Sequence, residues 1–458
     1  RWWWVLNLNG MGSMTGRHLL LFLFIQSIDS SNKFISGRWI NEGLPTRVEG
    51  PANEDTLRFL QVLWRHGDRT PAVLIPTDTE NGVETWPEGL GELTTVGMGQ
   101  QMRLGKFLRK RYGKFIGDGK WDRNAIYIRS SDYNRTLMSA MSNLAGLFPP
   151  SKEEYFDKDL HWQPIPVHTV PREIDVQLYE DISCPTAEED RNAIFAESPR
   201  AKQVEKDNED ILNYLGDKTG RNGPLPLLDV WKVFDPLNAE LCHNDTHKWP
   251  GWINQSIFES LVTVYDDASR LSFHTDVLRR LRGGPLVHEV LDRFTMKIDG
   301  KLDKMKMYAY SAHDTTLAAI LATFGIFPTV FPLYATAIMI EMHQRGDQYY
   351  VEMYHKNMTD KDDLFKHEME GCPSPCTLET LKKAMAPYAP NDWHSECGLN
   401  TDRTIRYIVA IVFLGLTTVT FGSILAVDIF LKYRNHGRAR ESSTRLLVDE
   451  EETASMDA

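Results

Sequence analysis

Between Leu57 and Trp64 the chain reads LRFLQVLW, with Arg58 and Gln61 as its only polar positions. A short, nearly continuous apolar run predicts a strand covered on both faces. From Thr94 to Tyr112 the period changes. Met98, Met102, Leu108 and Tyr112 recur at helical spacing, and Thr94 or Thr95 can serve as N-cap. Residues 124–130 (NAIYIRS) predict a second short strand, and 132–148 (DYNRTLMSAMSNLAGLF) a helix capped by Asp132. Residues 306–325 (KMYAYSAHDTTLAAILATFG) predict strand, loop and helix, ended by Gly325. Residues 337–356 predict a hairpin that turns at Arg345–Gly346–Asp347. Between 185 and 285 the chain is more polar, with helix-like stretches at 201–216 and 256–273. Strands alternating with helices predict an α/β fold on a mostly parallel sheet sandwiched by helices.

The two ends break this pattern. Arg17 and His18 precede LLLFLFI at 19–25, and small polar residues follow. A basic start, a short apolar core and a Ser-rich exit predict a secretory signal peptide within residues 1–30. Residues 407–427 contain no charged side chain and are long enough to cross a bilayer as a helix. Lys432, Arg434, Arg438 and Arg440 follow, against Arg403 and Arg406 before it, so the C-terminal side is expected to be cytoplasmic. A buried core helix is the competing reading, and length and flanking charge favour the span. The chain thus divides into an α/β core at 50–184 and 286–400, a helical insertion at 185–285, a transmembrane helix at 407–427 and a cytoplasmic tail at 428–458, expected to be unstructured over 432–458. The expected product is a single-pass type I membrane protein with its bulk outside the cytoplasm, in a lysosome or at the cell surface.

Composition adds limits. Of 458 residues, 42% are hydrophobic and 25% charged, as in ordinary globular chains, and the net charge of −12 argues against nucleic acid as a partner. Five cysteines, at 184, 242, 372, 376 and 397, all fall in the part placed outside the cytoplasm, where they should pair and leave one over. Asn244, Asn254 and Asn357 open Asn-x-Ser/Thr sequons and are candidate glycosylation sites. Asn134 opens another, in a more crowded place.

Against that acidic background, RHGDRTP at 65–71 crowds Arg65, His66 and Arg69 at the end of the first strand. Like charges gather in this way around an anion. Two further strand ends carry unusual polar groups: Arg129, and the pair His313 and Asp314. Ligands of open α/β sheets bind where the C-terminal ends of strands meet. Arginine donates two parallel hydrogen bonds to phosphate oxygens and keeps its charge at every relevant pH. Three arginines could therefore clamp one phosphate, with His66 attacking phosphorus and Asp314 protonating the departing alkoxide. Each residue alone has a blander use. Arg129 could be a surface ion-pair partner, Asp314 a helix cap, Asp68 a partner for Arg65 or Arg69, and His313 a satisfied core histidine. The same element occurring at three strand ends favours the joint reading.

RHGDRTP, followed far downstream by SAHDTT, resembles the histidine acid phosphatases of the phosphoglycerate-mutase-like fold. Residues 86–101, 126–140 and 310–316 are similar to the animal lysosomal and prostatic acid phosphatases in particular, and the likeness runs from about Leu57 to about Cys397. It implies His66 as nucleophile, Arg65, Arg69 and Arg129 as phosphate clamp, His313 as a further phosphate contact and Asp314 as proton donor. No metal or cofactor is implied, and CHNDTH at 242–247 is read as a loop with a sequon. The resemblance also implies that 185–285 caps the leaving-group side. Disulfides Cys184–Cys397 and Cys372–Cys376 would match those of the animal enzymes, whereas Cys242 lacks its expected partner in FPLYATAIMIEM, at a cost of about 2–4 kcal/mol for the lost staple.

The function expected is metal-independent hydrolysis of phosphate monoesters through a phosphohistidine. The expected partners are the substrate, the membrane and a second copy of the chain as a homodimer. Because the donor must hold its proton, the rate should fall toward neutral pH. A member tuned to lysophosphatidate or inositol phosphate is the alternative within the class, and a catalytically silent surface protein the alternative outside it.

Overall fold

Seven strands form one sheet: β1 (Thr46–Val48), β2 (Leu57–Arg65), β3 (Ile126–Ser130), β4 (Met307–Ala312), β5 (Ala337–Arg345), β6 (Gln348–Lys356) and β7 (Leu364–His367), in the order β1-β7-β6-β5-β2-β4-β3. This computed structural model describes residues 46–48, 50–117, 119–327, 330–357, 364–399 and 401–454, so the expected signal peptide at 1–30 lies outside the described residues. The sheet is mixed. β2, β4 and β3 are parallel, whereas β5, β6, β7 and β1 each pair antiparallel with their neighbours. The parallel part is narrower than the alternation of elements predicts. The hairpin turning at Gly346–Asp347 adds antiparallel strands of the same apolar appearance, and pattern alone does not reveal direction.

β2 lies inside the sheet, between β5 and β4, and is buried on both sides. Phe59 and Leu63 face one apolar layer, and Leu60, Val62 and Trp64 the other. This is the period-2 alternation of a strand. Helices α1 (Thr95–Tyr112) and α2 (Asn134–Leu147) cover the second face through Leu104, Leu108, Tyr112, Ala140 and Leu144. The first face is covered by residues of three later helices, Gly284–Ile298, Asp314–Thr323 and Leu378–Met385. Gln61, fully buried inside β2, donates to the Val290 carbonyl at 2.8 Å, which removes most of the cost of burying its amide. Thr94 caps α1 as expected, accepting from the Gly97 amide. Met98 and Met102 do not carry its buried stripe, since Met102 is 40% exposed. Gly97, Gln101, Gly105 and Leu108 do. α2 starts from Tyr133, whose side chain makes no cap bond, and not from Asp132.

The insertion is helical. Its helices α3 (Pro185–Glu197), α4 (Pro199–Asp207), α5 (Glu209–Lys218), α6 (Trp231–Cys242) and α7 (Gln255–Leu271) enclose an apolar cluster of their own, around Leu212, Leu215, Val233, Leu237, Leu261 and Val264. Ile75, from the loop after β2, completes it. The longer helices that follow are α8 (Gly284–Ile298), α9 (Asp314–Thr323), α10 (Leu378–Met385) and α11 (Thr401–Ala454).

Cys184 bonds Cys397 and Cys372 bonds Cys376, while Cys242 is free. Of the sequons, Asn254 is exposed and caps α7 through Oδ1, leaving the cap bond off the nitrogen that would carry a glycan. Asn244 is half-buried. Asn357 is a correction. It is 3% exposed and its Oδ1 accepts from the Thr336 hydroxyl, so the folded chain leaves no room for a sugar there.

Residues 398–458 form a separate unit. Its helix, α11, includes the segment Ile405–Arg438, whose most apolar window has a mean hydropathy of 2.3, long and apolar enough to cross a membrane. The tail expected to be unstructured continues as helix to Ala454. It contains no proline, and Leu, Lys, Arg, Ala and Glu sustain helical backbone.

Candidate active site

The parallel register sets the site. Arg65 pairs with Ala312, and Ser130 with Ser311, so β2, β3 and β4 end level and their following loops meet. The loop after β2 turns tightly against the start of α1. A Cβ on Gly67 would meet the Gly97 carbonyl oxygen at 2.3 Å, and one on Gly97 would meet the Asp68 carbonyl at 2.1 Å, so only glycine allows this approach. That contact presses the His66–Arg69 loop onto the sheet edge.

A cavity of about 490 Å³ opens there, and His66, Arg65, Arg69, His313 and Asp314 all line it. His66 Nδ1 donates to the Gly67 carbonyl at 2.8 Å, which leaves the lone pair on Nε2. Burial, then Arg135, Arg65, Arg69 and His313, hold its pKa well below 6.5. Both causes favour the neutral ring, with its free lone pair on Nε2. The His313 ring stands edge-on to that of His66, with centroids 5.7 Å apart. Its Nε2 donates to the Ser131 hydroxyl at 2.8 Å and its Nδ1 accepts from Arg135 at 3.5 Å. Burial and the same three arginines keep it neutral as well.

The crowded arginines are held by carboxylates that the local sequence does not reveal. Arg65 pairs with Asp314 at 2.7 Å and donates to the Pro332 carbonyl at 2.8 Å. Arg69 makes a two-pronged pair with Asp235 on α6, at 2.7 and 3.2 Å. Asp235 also accepts from the Ala72 amide at 2.7 Å. Burial alone would lower the Arg69 pKa, but Asp235 more than reverses this, so the net shift is upward. Asp68 pairs with neither arginine. It accepts from the Thr94 hydroxyl at 2.5 Å and from His243 Nε2 at 2.7 Å, which ties the end of α6 to the loop. Asp314 is the first residue of α9, where the Thr315 amide donates to its Oδ1 at 2.9 Å.

Arg129 is the second correction. It does not line the cavity. It sits inside β3, on the face turned toward α8, and donates to Asp175 at 2.5 Å and to Gln177 at 3.3 Å. Its nearest other carboxylate is Glu289 on α8, at 3.9 Å. The alternation of a strand gives Arg129 one face, and that face is not the one at the strand's end. Arg135 takes the third position around the cavity. It lies in the first turn of α2, and its guanidinium stacks on the Tyr133 ring at 4.4 Å. Burial and then Arg69 lower its pKa to about 10. Arg135 stands in the same resembling stretch, 126–140. The available signal was its place in the first turn of a helix that follows a strand, where anions bind.

Around this charged floor the wall is apolar and comes from the insertion. Trp231, Phe234 and Asn238 on α6 repeat at helical spacing, as do Tyr265, Ala268 and Ser269 on α7. Tyr179, Glu180, Asp181 and Arg191 close another side. Burial and then Asp181 raise the Glu180 pKa to about 8. Glu341, His343 and Glu352, on β5 and β6, bring metal-binding atom types together outside the cavity. Arg111 on Glu341 at 2.8 Å and Lys366 on Glu352 at 3.1 Å already supply positive charge there, and the trio is an ion-pair network.

Residues 56–356 match the sequence profile of the histidine phosphatase superfamily (branch 2). A Caenorhabditis elegans protein named "Putative acid phosphatase 5" is 47% identical over 86% of this chain and 92% of its own length. The human lysosomal acid phosphatase is 36% identical over 78% of this chain and 84% of its own. A Hafnia alvei phytase structure in complex with tartrate superposes with a TM-score of 0.57, covering 75% of this chain and 98% of its own at 16% identity, which is a likeness of fold.

Proposed function

The chain belongs to the histidine phosphatase superfamily (branch 2) and is an enzyme of the acid phosphatase type, and from that premise we propose that it hydrolyses phosphate monoesters through a phosphohistidine on His66, without a metal. The observation that carries this reading is the convergence of His66, three arginines, His313 and Asp314 on one cavity. Nε2 attacks phosphorus as the ester P–O bond breaks, and Asp314 gives its proton to the departing oxygen. Water then attacks the phosphohistidine, returning a proton to Asp314 and the electron pair of the P–N bond to His66. Arg65, Arg69 and Arg135 neutralise the phosphoryl oxygens throughout, and His313 is an added contact.

The wall favours one class of leaving group. Trp231, Phe234, Tyr265, Phe273 and Phe331 offer apolar and aromatic surface. Beyond the three clamp arginines the cationic lining residue is Arg191, which faces Glu180. Such a wall suits aryl or lipid-like monoesters, lysophosphatidate among them, better than an inositol polyphosphate, whose further phosphates need their own cations. The apolar stretch of α11 supports a single-pass anchor, with residues 46–397 on the luminal or outer side of a lysosomal or plasma membrane.

Acid-quenched, alkali-stable phosphate should appear on wild-type chain mixed with a labelled monoester, and not on His66→Ala, whose turnover should drop by about 10⁴-fold. Equal labelling of both would refute the assignment.

A further inference from the structure

Tyr334 does not line the cavity, yet two groups that do are arranged around it. The Arg65 guanidinium stacks on its ring at 4.3 Å, and the His66 ring lies 5.9 Å from it at 43°. The tyrosine is 7% exposed and its hydroxyl has no hydrogen-bond partner among the described residues. The ring is therefore the part in use, although an unpaired buried hydroxyl is unfavourable.

The segment that carries it is tied to the end of β2 by three bonds. Arg65 Nη1 donates to the Pro332 carbonyl at 2.8 Å, the Arg65 amide to the Thr336 carbonyl at 2.9 Å, and the Ala335 amide to the His66 carbonyl at 3.0 Å. This placement follows from topology. β5 runs antiparallel to β2 and begins at Ala337, opposite Trp64, so the residues leading into β5 must pass beside the residues leaving β2. Ala335 has φ +54°, the one left-handed non-glycine among the described residues. Backbone strain of this kind persists where surrounding bonds over-determine it, and such places cluster at functional sites.

We propose that Tyr334 is a positioning residue for the phosphoryl transfer, its ring fixing the Arg65 guanidinium and the His66 imidazole in register while the left-handed Ala335 and residues 332–336 hold it there. The inference rests on the phosphohistidine reading. Arg65 is shared between Tyr334, the Asp314 carboxylate and the Pro332 carbonyl. Loss of the ring frees it to leave the phosphate and the proton donor together. The charged and titratable groups facing His66 are Arg65 and Arg69 from its own loop, Arg135 from α2 and His313 at the start of α9. Removing Arg65 from that set lets His66 hold a proton at higher pH, while burial and the others still oppose it.

The test is steady-state kinetics on p-nitrophenyl phosphate across pH, on full-length chain with its folding checked by circular dichroism. Tyr334→Phe should stay within about 2-fold of wild type, because the hydroxyl it deletes has no partner. Tyr334→Leu should lower kcat by about 30–100-fold, with a smaller rise in KM and the acid limb moved to higher pH. Ala335→Gly should keep activity, since glycine takes this φ freely, and Ala335→Val should reproduce the Tyr334→Leu profile. If Tyr334→Leu does not fold, the Ala335 pair puts the same question with the ring still in the chain. Unchanged kcat and acid limb in Tyr334→Leu or Ala335→Val would overturn the proposal, and so would a Tyr334→Phe as damaged as Tyr334→Leu. His66→Ala separates the two claims. If it loses turnover while Tyr334→Leu does not, positioning fails alone, whereas turnover retained in His66→Ala removes the phosphohistidine reading and this inference with it.

Discussion

The floor and the wall of the cavity are built from different chemistry and different parts of the chain. The floor comes from the ends of parallel strands and is charged, buried and held by ion pairs, Arg65 with Asp314 and Arg69 with Asp235. The wall comes from α6 and α7 and is mostly apolar and aromatic. A floor of fixed donors needs no rearrangement when phosphate arrives, so its work is done at the reacting atoms. A wall of side-chain surface discriminates only by area and shape, a few kcal/mol at most. The joint between them is polar. α6 reaches the floor through Asp235 on Arg69 and His243 on Asp68, and its Glu240 faces Asp78 in the loop after β2.

Substitutions should separate the three parts. The largest remaining effects are expected on the floor. Asp314→Asn should lower kcat by about 10²–10⁴-fold on alkyl esters, whose leaving groups need the proton most, and less on p-nitrophenyl phosphate. Equal losses on both would remove it as proton donor. Arg135→Ala should cost about 10²–10³-fold in kcat/KM. Arg129→Ala should instead spare turnover per folded molecule and lower Tm, because it leaves Asp175 buried without its cation, a loss of about 3–5 kcal/mol. The reverse pattern would restore Arg129 to the clamp. On the wall, Trp231→Ala should raise KM for an aryl phosphate by about 5-fold and leave a small alkyl phosphate unchanged.

The smallest effect concerns the joint. Burial and then Asp78 raise the Glu240 pKa from 4.5 to about 9. The folded chain therefore holds a proton that the unfolded chain releases. The contribution of Glu240 is complete below about pH 4.5 and is lost as pH rises toward 9, by up to about 1.4 kcal/mol per pH unit. Glu240→Gln, a fixed stand-in for the protonated form, should show a shallower fall in Tm from pH 5 to 8 than wild type. A steeper fall would contradict this.

Much of this was readable in the chain before folding was considered. LRFLQVLW had to be a buried strand, and RHGDRTP after it, with SAHDTT downstream, places His66, Arg65, Arg69, His313 and Asp314 at strand ends. Those residues follow directly on apolar runs, so local pattern locates them. Arg129 also ends such a run and misled for that reason. Whether it or Arg135, six residues on, reaches the cavity depends on which face of β3 is turned where. Strand direction was hidden in the same way, because the β5–β6 hairpin and a parallel strand look alike in hydrophobicity.

By itself the sequence located most of the elements, His66 with most of its neighbours in the cavity, and the apolar stretch near the C-terminus, all of which depend on residues close together in the chain. Tertiary structure alone decided that Arg135 lines the cavity beside Arg65 and Arg69, that Asp235 from α6 holds Arg69, and that Tyr334 lies beside Arg65. Each of these is a contact between segments far apart in sequence, set by strand register and helix docking, and no local periodicity encodes such a contact.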